Sequence, residues 1–389
     1  MPADRKAIFN QHELERYSRQ MAIPSFGVEG QRKLKEARVA VIGAGGLGAP
    51  LLHYLTAAGV GTIGIFDFDF VDNSNLQRQV LFDEGDIGNK KAQSSCAKLK
   101  KINSQINVQV HDTRIDPANA VELLQHYDIV ADGSDNFFTR YVVNDACLIL
   151  DIPLVYGSIF QFEGQVSVFN YVDKAGNRGP DYRTLFPEMP KEGFIPNCAE
   201  AGVIGALPGI IGSIQALEVI KIITGKGKIL SGTMLVFDAL EMDFQKIHLP
   251  AVDSSSNIDK DQIKARLESL MIHIKENPGA ECAIDNETVS ELEPAELAKI
   301  IENEEHISLI DVRTEDEHAT FNIGGKVLPL DSIINTEAKI PNQGKIIFYC
   351  SVGERSRKAA QFVQNTFGYK NMYSLKGGLI NWRLFTENK

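Results

Sequence analysis

The sequence has few cysteines, no excess of positive charge and no long hydrophobic run, and each absence excludes a class of protein. Its 5 cysteines among 389 residues are odd in number and widely spaced, which excludes a disulfide framework. A net charge of −11 disfavours nonspecific binding of nucleic acid. No run approaches the roughly 20 apolar residues of a membrane span, and the polar first residues lack a signal-peptide core. We expect a cytoplasmic protein that binds neither nucleic acid nor membranes.

Strand-like and helical segments alternate from Ala37 to about Asn170, which predicts a Rossmann-like, mostly parallel α/β sheet wrapped by helices. Residues 173–200 are rich in Gly, Pro and charge and indicate a long loop, whereas AGVIGALPGIIGSIQALEVIKIITG is typical of an apolar helix with Gly-Pro-Gly interruptions. A second alternation near the end of the chain predicts a small α/β domain. The predicted organisation is a first domain over 1–250, a crossover or linker over 251–286 and a second domain over 287–389.

The glycine-rich segment VIGAGGLGAP, residues 41–50, lies between an apolar β-branched run and leucines at helical spacing. A strand, a glycine turn and a helix together form the setting in which amide N–H groups at a helix N-terminus hold a phosphate. Asp67 follows at about the 20-residue distance at which a carboxylate binds a ribose. On this pattern alone, a nicotinamide dehydrogenase fits as well.

Polar segments around the glycine turn favour triphosphate chemistry over hydride transfer. Two arginines, a lysine and an aspartate accompany the turn, in the segments RYSRQ (16–20), FDFDFVDNSNLQRQ (66–79), GNKKA (88–92) and DGSDN (132–136). Cationic side chains stabilise the charge that develops on phosphates, and a carboxylate can hold Mg²⁺. A hydride-transfer site would instead be expected to place a proton-shuttling His or Tyr beside its substrate, and this half of the sequence offers no candidate.

Residues 10–250 resemble the MoeB/ThiF (HesA) family of adenylyltransferases, bacterial relatives of ubiquitin-activating enzymes. The resemblance lies in the polar segments above and in GAGGLG, CAEAGV and GSIQALEVIK. The resemblance implies that ATP, with Mg²⁺, adenylylates the C-terminal glycine of a small ubiquitin-like sulfur carrier protein of the MoaD/ThiS type. Pyrophosphate is released. It also implies a homodimer, in which Arg19 reaches into the neighbouring subunit's site.

The resemblance assigns roles to individual residues of this chain. Gly46 lies against the phosphates, Asp67 holds the ribose and Asp135 coordinates Mg²⁺. Asp69 is as much a candidate for a turn or cap residue as for a ligand. The implied nucleotide-binding set is Gly43, Gly45, Gly46, Gly48, Asp67, Asp69, Ser74, Asn75, Leu76, Gln77, Arg78, Lys91, Asp135 and Asn136. The implied catalytic set is Arg19, Arg78, Lys91, Asp135 and Cys198, to which the second domain, described below, adds Cys350.

Cys198 lies in PNCAEAGV, where many members of this family carry a cysteine that can attack the activated carrier. The sequence shows no base or cation that would activate it, so a spectator thiol in a flexible loop is the alternative. Cys96, Cys147 and Cys282 have no motif around them. Because Cys96 and Cys147 fall in predicted helices, buried packing is the simpler interpretation for them.

The family's structural zinc site is missing from this sequence. MoeB-like proteins hold that zinc with two CxxC pairs. Asp181 and Thr184 stand at the first pair here and Ala280 and Ala283 at the second, with Cys282 out of register. A tetrahedral thiolate site needs four ligands at these spacings. We therefore predict that the chain binds no zinc.

The segment IIFYCSVGERSRKAAQF (346–362) resembles the active loop of rhodanese-type sulfurtransferases, and LIDVRTEDEH and YSLKGGLINW match that family's other landmarks. Amides that surround a thiol at a helix N-terminus stabilise an anionic sulfur, so Cys350 is the candidate persulfide carrier. Gly353, Arg355 and Ser356 complete the loop; we expect Arg355 to add positive charge and Ser356 to cap the helix. An ordinary buried cysteine is the alternative.

The two resemblances together predict a reaction sequence. The carrier becomes an acyl-adenylate, and a Cys350 persulfide, loaded by a cysteine desulfurase or another donor, attacks its acyl carbon. Cys198 is a candidate to release the carrier thiocarboxylate, for molybdopterin, thiamine or thiolation pathways. One alternative is a ubiquitin-like modifier activator that passes a carrier thioester from Cys198 to protein targets. Another is a non-catalytic scaffold.

Overall fold

The computed structural model describes residues 8–189, 202–250, 259–276, 289–303, 307–333, 340–341 and 344–387. These residues form two compact units, which are described separately. The first unit contains the described residues up to 273, and the second contains those from 274 onward.

An eight-stranded sheet lies at the centre of the first unit. Its strands are β1 (Arg38–Ile42), β2 (Thr62–Phe66), β3 (Asn107–His111), β4 (Ile129–Asp132), β5 (Leu154–Phe160), β6 (Glu163–Phe169), β7 (Thr233–Asp238) and β8 (Asp243–His248). The order across the sheet is β3-β2-β1-β4-β5-β6-β7-β8. Strands β1 to β5 pair in parallel, and β5 to β8 pair antiparallel. The predicted mostly parallel α/β sheet is confirmed.

Helices flank this sheet. They are α1 (Gln11–Arg16), α2 (Ser18–Met21), α3 (Gly27–Glu36), α4 (Gly48–Ala58), α5 (Lys91–Ile102), α6 (Ala120–Leu124), α7 (Phe137–Leu150), α8 (Tyr182–Leu185), α9 (Leu207–Thr224) and α10 (Lys260–Glu276). Helix α10 lies within the segment predicted as a crossover or linker. It packs onto the first unit, because Leu267 is buried in the core and Lys260 Nζ donates to the carbonyl oxygen of Ile149 at 2.8 Å.

The alternation of side chains along β1 explains why its sequence is continuously apolar. Val39 and Val41 pack into a core with residues of α4, whereas Ala40 and Ile42 pack into a second core with residues of α7. A parallel strand that is covered on both faces needs apolar residues at every position. Polar functional residues are therefore expected in the loops that follow the parallel strands, and not within the strands.

Helix α9 is long and apolar enough to cross a membrane by length and composition, with a mean hydropathy of 1.4 over 18 residues. Half of that window is buried inside the first unit. The helix packs against α4, β5 and β6, and Gln215 Nε2 donates to the carbonyl oxygen of Asp132 at 2.7 Å. These contacts explain its apolar composition as that of a core helix.

Two of the cysteines and one half of the absent zinc site have structural roles. Cys147 is buried and Cys96 is partly buried, on α7 and α5, which confirms the packing interpretation. Asp181 caps α8: Thr184 N donates to Asp181 Oδ1 at 2.7 Å, and Asp181 N donates to Thr184 Oγ1 at 3.2 Å. Cys198, Ala280, Cys282 and Ala283 lie outside the described residues.

The second unit has a five-stranded parallel sheet. Its strands are β9 (Ser290–Leu292), β10 (Ile307–Asp311), β11 (Lys326–Val327), β12 (Lys345–Tyr349) and β13 (Met372–Leu375), in the order β11-β10-β12-β13-β9. Its helices are α11 (Pro294–Glu302), α12 (Glu315–Thr320), α13 (Leu330–Ile333), α14 (Glu354–Phe367) and α15 (Gly378–Glu387). The predicted small α/β domain is confirmed.

A buried ion pair stabilises the end of β10. Asp311 is fully buried and accepts hydrogen bonds from Arg313 Nε at 2.9 Å and Arg313 Nη2 at 2.6 Å, and His318 Nδ1 lies 2.8 Å from its Oδ2. Burial alone would raise the pKa of Asp311, but the hydrogen bonds from Arg313 and His318 outweigh it and lower that pKa. The carboxylate is therefore held in its charged form by the Arg313 guanidinium and by its hydrogen bond with His318.

Asp311→Asn is expected to lower the free energy of unfolding of the second unit by about 3 kcal/mol, because it leaves the buried Arg313 without a counter-ion. Trp382 is the only tryptophan in the sequence and lies on α15, so its fluorescence in a urea titration reports on this unit. The exposed Asp316→Asn on α12 is the control.

Since the folded pKa of Asp311 is lowered, the stability that its ion pair with Arg313 contributes is present above about pH 3.9 and is lost as the pH falls through the folded pKa. Equal urea midpoints for Asp311→Asn and wild type would contradict the prediction.

Candidate functional site

In the turn between β1 and α4, the backbone at Gly43 and at Gly48 lies too close together for a side chain on Gly48. Gly43 has a φ of +83°, and a Cβ on Gly48 would lie 2.0 Å from the carbonyl oxygen of Gly43. Helix α4 begins at Gly48, and its N-cap Leu47 provides no side-chain hydrogen bond. Ala49 N donates to the carbonyl oxygen of Gly45 at 2.8 Å, and Pro50 has no N–H. The backbone that can meet an anion is therefore that of the glycine turn itself, at the N-terminus of α4, where the helix dipole also favours negative charge.

Asp67 lies immediately after β2, beside this turn. Its Oδ2 accepts a hydrogen bond from Ala44 N at 2.7 Å, and its Oδ1 accepts one from Asp69 N at 2.9 Å. Burial raises the pKa of Asp67, against the opposing effects of Lys91 and of these amides. The carboxylate is thus attached to the glycine turn itself, in the position at which a ribose is bound in this type of fold.

Lys91 is a buried cation at the start of α5. Its Nζ lies 3.2 Å from Asp69 Oδ2, and its backbone N donates to the carbonyl oxygen of Asp69 at 2.9 Å. The neighbouring Lys90 has other partners, since its Nζ donates to the carbonyl oxygen of Phe68 at 2.8 Å. Of these two lysines, the buried one lies next to the carboxylates that follow β2. Asp69 thus has structural partners in this loop, and its role as a nucleotide ligand stays a prediction.

The loop after β2 places an arginine against the glycine turn. Asp72 caps a 3₁₀ turn over Asn73–Asn75, and Arg78 Nη1 donates to the carbonyl oxygen of Ser74 at 3.0 Å. A Cβ built on Gly46 would lie 3.7 Å from Arg78 Cγ, so this arginine is a neighbour of the turn. Leu76 packs on the hydrophobic core and therefore contributes to the shape of the loop. Gln77 is exposed.

The segment after β4 completes the cluster. A Cβ on Gly133 would lie 3.1 Å from Gly48 N, which places this segment against the glycine turn. Asp135 follows and is exposed. Asn136 is the N-cap of α7, and its Oδ1 accepts a hydrogen bond from Thr139 N at 2.8 Å. The structure thus brings together the predicted residues that follow β1, β2 and β4, and it gives Asn136 a role in starting a helix.

Three buried residues beneath these segments escaped the sequence analysis. Asp132 Oδ1 accepts from Ser134 N at 2.9 Å, and Arg140 Nη2 donates to the carbonyl oxygen of Ser134 at 3.1 Å. Burial raises the pKa of Asp132, and the charge of Arg140 opposes this. Gln79 is buried beside Gly45. A signal was available, because Arg140 stands four residues after Asn136, on the same helix face.

Two predicted site residues are not placed in this cluster. Arg19 is exposed on α2, and no contact among the described residues joins it to the glycine turn. Its predicted reach into a partner subunit stays a prediction. Cys198 lies outside the described residues, so its role also stays a prediction.

Cys350 in the second unit lies at the carboxyl end of β12, at the base of a tight loop. It is fully buried, and Gly353 N donates to its Sγ at 3.1 Å. The expectation that Ser356 caps α14 is wrong. Gly353, with a φ of +94°, is the N-cap, so α14 begins at the next residue and Ser356 falls inside its first turn. The Ser356 hydroxyl donates to the carbonyl oxygen of Gly353 at 3.0 Å and lies 3.6 Å from Cys350 Sγ.

Arg355 does not simply add positive charge to this loop. Its Nη1 and Nη2 donate to Glu317 Oε2 and Oε1 at 2.8 and 2.7 Å, which is a bidentate ion pair. Hydrogen bonding from Arg355 lowers the pKa of Glu317 to about 2. The predicted cation is present, but a carboxylate from α12 pairs with it.

Two family models match the chain. The ThiF family matches residues 17–257, and the rhodanese-like domain matches residues 293–384. The chain belongs to the ThiF family. The family predicted from the sequence motifs is therefore confirmed, together with the rhodanese-like domain that follows it.

Curated relatives cover nearly the whole chain. The probable adenylyltransferase/sulfurtransferase MoeZ of Mycobacterium tuberculosis is 44% identical over 378 residues, which is 96% of this chain and 93% of MoeZ. The adenylyltransferase and sulfurtransferase MOCS3 of Xenopus laevis is 35% identical and covers 98% of this chain and 89% of MOCS3. The sulfur carrier protein adenylyltransferase of Thermus thermophilus is 50% identical over 61% of this chain and 88% of its own length. This member of the ThiF family is an adenylyltransferase with a sulfurtransferase domain.

Solved structures share the fold. A crystal structure of E. coli MccB with ATP aligns with a TM-score of 0.54 at 24% identity, covering 65% of this chain and 75% of MccB. A crystal structure of PaaA aligns with a TM-score of 0.53 at 22% identity, over 62% of this chain and 75% of PaaA. At these identities the likeness concerns the fold alone.

Proposed function

We propose that this enzyme activates the C-terminal glycine of a small ubiquitin-like sulfur carrier protein as an acyl-adenylate and then converts it to a thiocarboxylate with sulfur held on Cys350. One observation carries the proposal. A glycine-turn site with a buried lysine and the amide-lined Cys350 loop occur in one chain, and relatives that span both are named for both activities.

The first unit has the groups that adenylylation requires. A carboxylate that approaches a triphosphate is repelled by it, so cations must offset that repulsion before attack. Lys91 beside Asp69, and Arg78 beside Gly46, provide two such cations around the glycine turn at the N-terminus of α4. Asp67 binds the ribose, and the carrier carboxylate displaces pyrophosphate from the α-phosphate.

Mg²⁺ is proposed as part of the MgATP substrate. No three His, Cys, Asp or Glu side chains within the described part of the chain converge to hold a metal by themselves. Asp135 is exposed at the end of β4, and one carboxylate together with substrate phosphates is a common way of holding Mg²⁺ in proteins. Asp135 would therefore share Mg²⁺ with the phosphate oxygens.

The second unit has the features of a persulfide site. The terminal sulfur of a Cys350 persulfide attacks the acyl carbon of the adenylate, AMP leaves, and an acyl disulfide forms. A second thiol, for which Cys198 is the candidate, attacks the Cys350 sulfur and releases the carrier thiocarboxylate. The resulting disulfide is then reduced by a cellular thiol. The N–H of Gly353 and the N-terminus of α14 favour the anionic sulfur of the persulfide.

The remaining partners are proposed on the same basis. A cysteine desulfurase or another persulfide-bearing protein loads Cys350, and the chain acts as a cytoplasmic homodimer in which Arg19 serves the neighbouring site. The thiocarboxylate then serves molybdopterin, thiamine or thiolation chemistry.

A mass measurement on the carrier tests the proposal. The enzyme is incubated with MgATP, a sulfur source and each small host protein that ends in Gly-Gly. We expect one carrier to gain the mass difference between sulfur and oxygen. If no carrier shows this shift and none promotes exchange of pyrophosphate into ATP, the proposal is wrong.

Gly46→Ala is expected to weaken ATP binding without unfolding the protein. The new Cβ would meet Pro208 at 3.4 Å and Arg78 at 3.7 Å, which is ordinary contact, yet it would occupy the surface that the phosphates approach. We expect the KM for ATP to rise by at least about tenfold, because the amides can no longer reach the phosphates.

The neighbouring glycines provide the controls for this variant. Gly209→Ala, where a Cβ meets nothing within 4 Å, should leave the KM for ATP unchanged. Gly48→Ala should unfold the turn, because its Cβ would lie 2.0 Å from a carbonyl oxygen. An unchanged KM for ATP in folded Gly46→Ala would argue against the assigned phosphate site.

A further inference from the structure

The ion pair between Arg355 and Glu317 lies at the mouth of the Cys350 loop. Arg355 is the second residue of α14, and Ser351, next to Cys350, lies within 3.3 Å of its Nη2. Ser351 Oγ also donates to Glu317 Oε1 at 3.4 Å. The side chains of Arg355 and Glu317 are 17% and 35% exposed, so the pair is partly removed from water. The carboxylate of Glu317 is thus attached to the loop at two points.

This pairing bears on which sulfur donors the loop accepts. A small dianionic donor such as thiosulfate needs an unpaired cation at the loop to offset its charge, and guanidinium is well suited to that task. In this structure both terminal nitrogens of the Arg355 guanidinium donate to Glu317. A protein persulfide carries its sulfur on a cysteine side chain with a single charge, and its binding comes from the surface of the protein partner.

We propose that Glu317 determines the sulfur donor of this enzyme: by neutralising Arg355, it disfavours small dianionic donors and leaves the loop to persulfides borne by proteins. This inference rests on the proposed function of Cys350. Glu317 is a specificity-determining residue in this account, and it touches neither the transferred sulfur nor the carrier.

Sulfur transfer to Cys350 from thiosulfate and from a protein persulfide each needs no further reactant. The Cys350 thiolate attacks the outer sulfur of thiosulfate, the S–S bond of thiosulfate breaks, and sulfite leaves with the electron pair. With a protein donor, the same thiolate attacks the terminal sulfur of the donor persulfide, and the donor's cysteine thiolate leaves. Both reactions end with a persulfide on Cys350, so their rates can be compared directly.

Glu317→Gln isolates the effect of the charge, because glutamine can still cap the start of α12. Glu317 is the third residue of α12, and Thr314 N donates to its Oε2 at 3.1 Å in a capping box. Capping boxes accept Gln at this position as well as Glu. The substitution therefore removes the charge and keeps the helix start. Glu315→Gln, an exposed carboxylate on the same helix turn, is the matched control.

The test measures transfer to Cys350 in the full-length protein from thiosulfate and from a cysteine desulfurase loaded with cysteine. For Glu317→Gln we expect kcat/KM with thiosulfate to rise by at least about tenfold, chiefly through a lower KM, because the variant lacks the carboxylate that offsets Arg355 and repels the dianion. Transfer from the desulfurase should change little. Glu317→Asp, which keeps the charge, and Glu315→Gln should resemble the wild type.

The double variant Glu317→Gln/Arg355→Gln should lose the gain, since the effect requires the positive charge of Arg355. A merely structural role would lower kcat with both donors and would not be reversed by the second substitution. If Glu317→Gln uses thiosulfate no better than the wild type while both accept sulfur from the desulfurase, this inference is wrong and Cys350 keeps its role. If the wild type accepts sulfur from neither donor, the proposed function of Cys350 itself fails.

Discussion

Cys350→Ser is expected to abolish formation of the carrier thiocarboxylate while leaving carrier-dependent exchange of pyrophosphate into ATP unchanged. Serine fills the same space at the base of the loop and keeps a hydrogen-bonding atom near Gly353 N. An alcohol forms no persulfide, so the nucleophile that takes the place of AMP is lost. We expect thiocarboxylate to fall to the background of the assay, measured by the mass of the carrier.

The control for this experiment is Cys96→Ser, which removes a partly buried thiol from α5 and should change neither reaction. Cys198→Ser distinguishes the competing hypothesis. A modifier activator that forms a thioester at Cys198 would need Cys198 and tolerate Cys350→Ser, whereas sulfur transfer requires Cys350. Normal thiocarboxylate from Cys350→Ser would overturn the proposed sulfur-transfer step.

Lys91→Met is expected to slow carrier adenylylation by about 10²–10³-fold, as happens when one preorganised stabilising group is removed from an active site. The methionine side chain fills the space of the buried lysine stem but removes the cation that we propose for the triphosphate. It also leaves Asp69 without its 3.2 Å partner, which adds an uncompensated negative charge beside the triphosphate. The measurement is carrier-dependent pyrophosphate exchange at saturating MgATP.

Lys98→Met provides the matched control, because Lys98 lies on the same helix and is also paired with carboxylates, at Asp83 and Asp86. Those carboxylates lie outside the predicted nucleotide-binding set, so the exchange rate should stay close to that of the wild type. Equal rates for Lys91→Met and Lys98→Met would remove Lys91 from the catalytic set.

The site in the first unit could be predicted from sequence because it is built from short segments that follow strands. The carboxyl ends of parallel strands meet at one edge of a sheet, so residues after β1, β2 and β4 converge wherever the strands themselves are recognised. Asp67 was predicted from its distance after the glycine turn, and Gly46 and Asp135 from the resemblance to the MoeB/ThiF family. Asp132 and Arg140 were missed, because their importance comes from burial beneath the segment that carries Asp135.

The Cys350 loop shows what the sequence alone does not predict. The pattern of residues predicted a strand, a thiol and a helix in the correct order. It also predicted Ser356 as the helix cap, but the cap is Gly353, because a positive φ at that residue starts α14 earlier. A cap depends on backbone angles that are set by the closure of the whole loop, including its contact with the segment after β13.

The sequence by itself determined the two α/β units, the glycine turn, the loop that carries Cys350 and the family, because these depend on residue types at short spacings along the chain. Only the tertiary structure decided which charged side chains pair with each other. Lys91 pairs with Asp69 across 22 residues of sequence, and Arg355 pairs with Glu317 across 38. Contacts between residues so far apart in the chain are set by how helices pack on the sheet, and they decide the electrostatics of both sites.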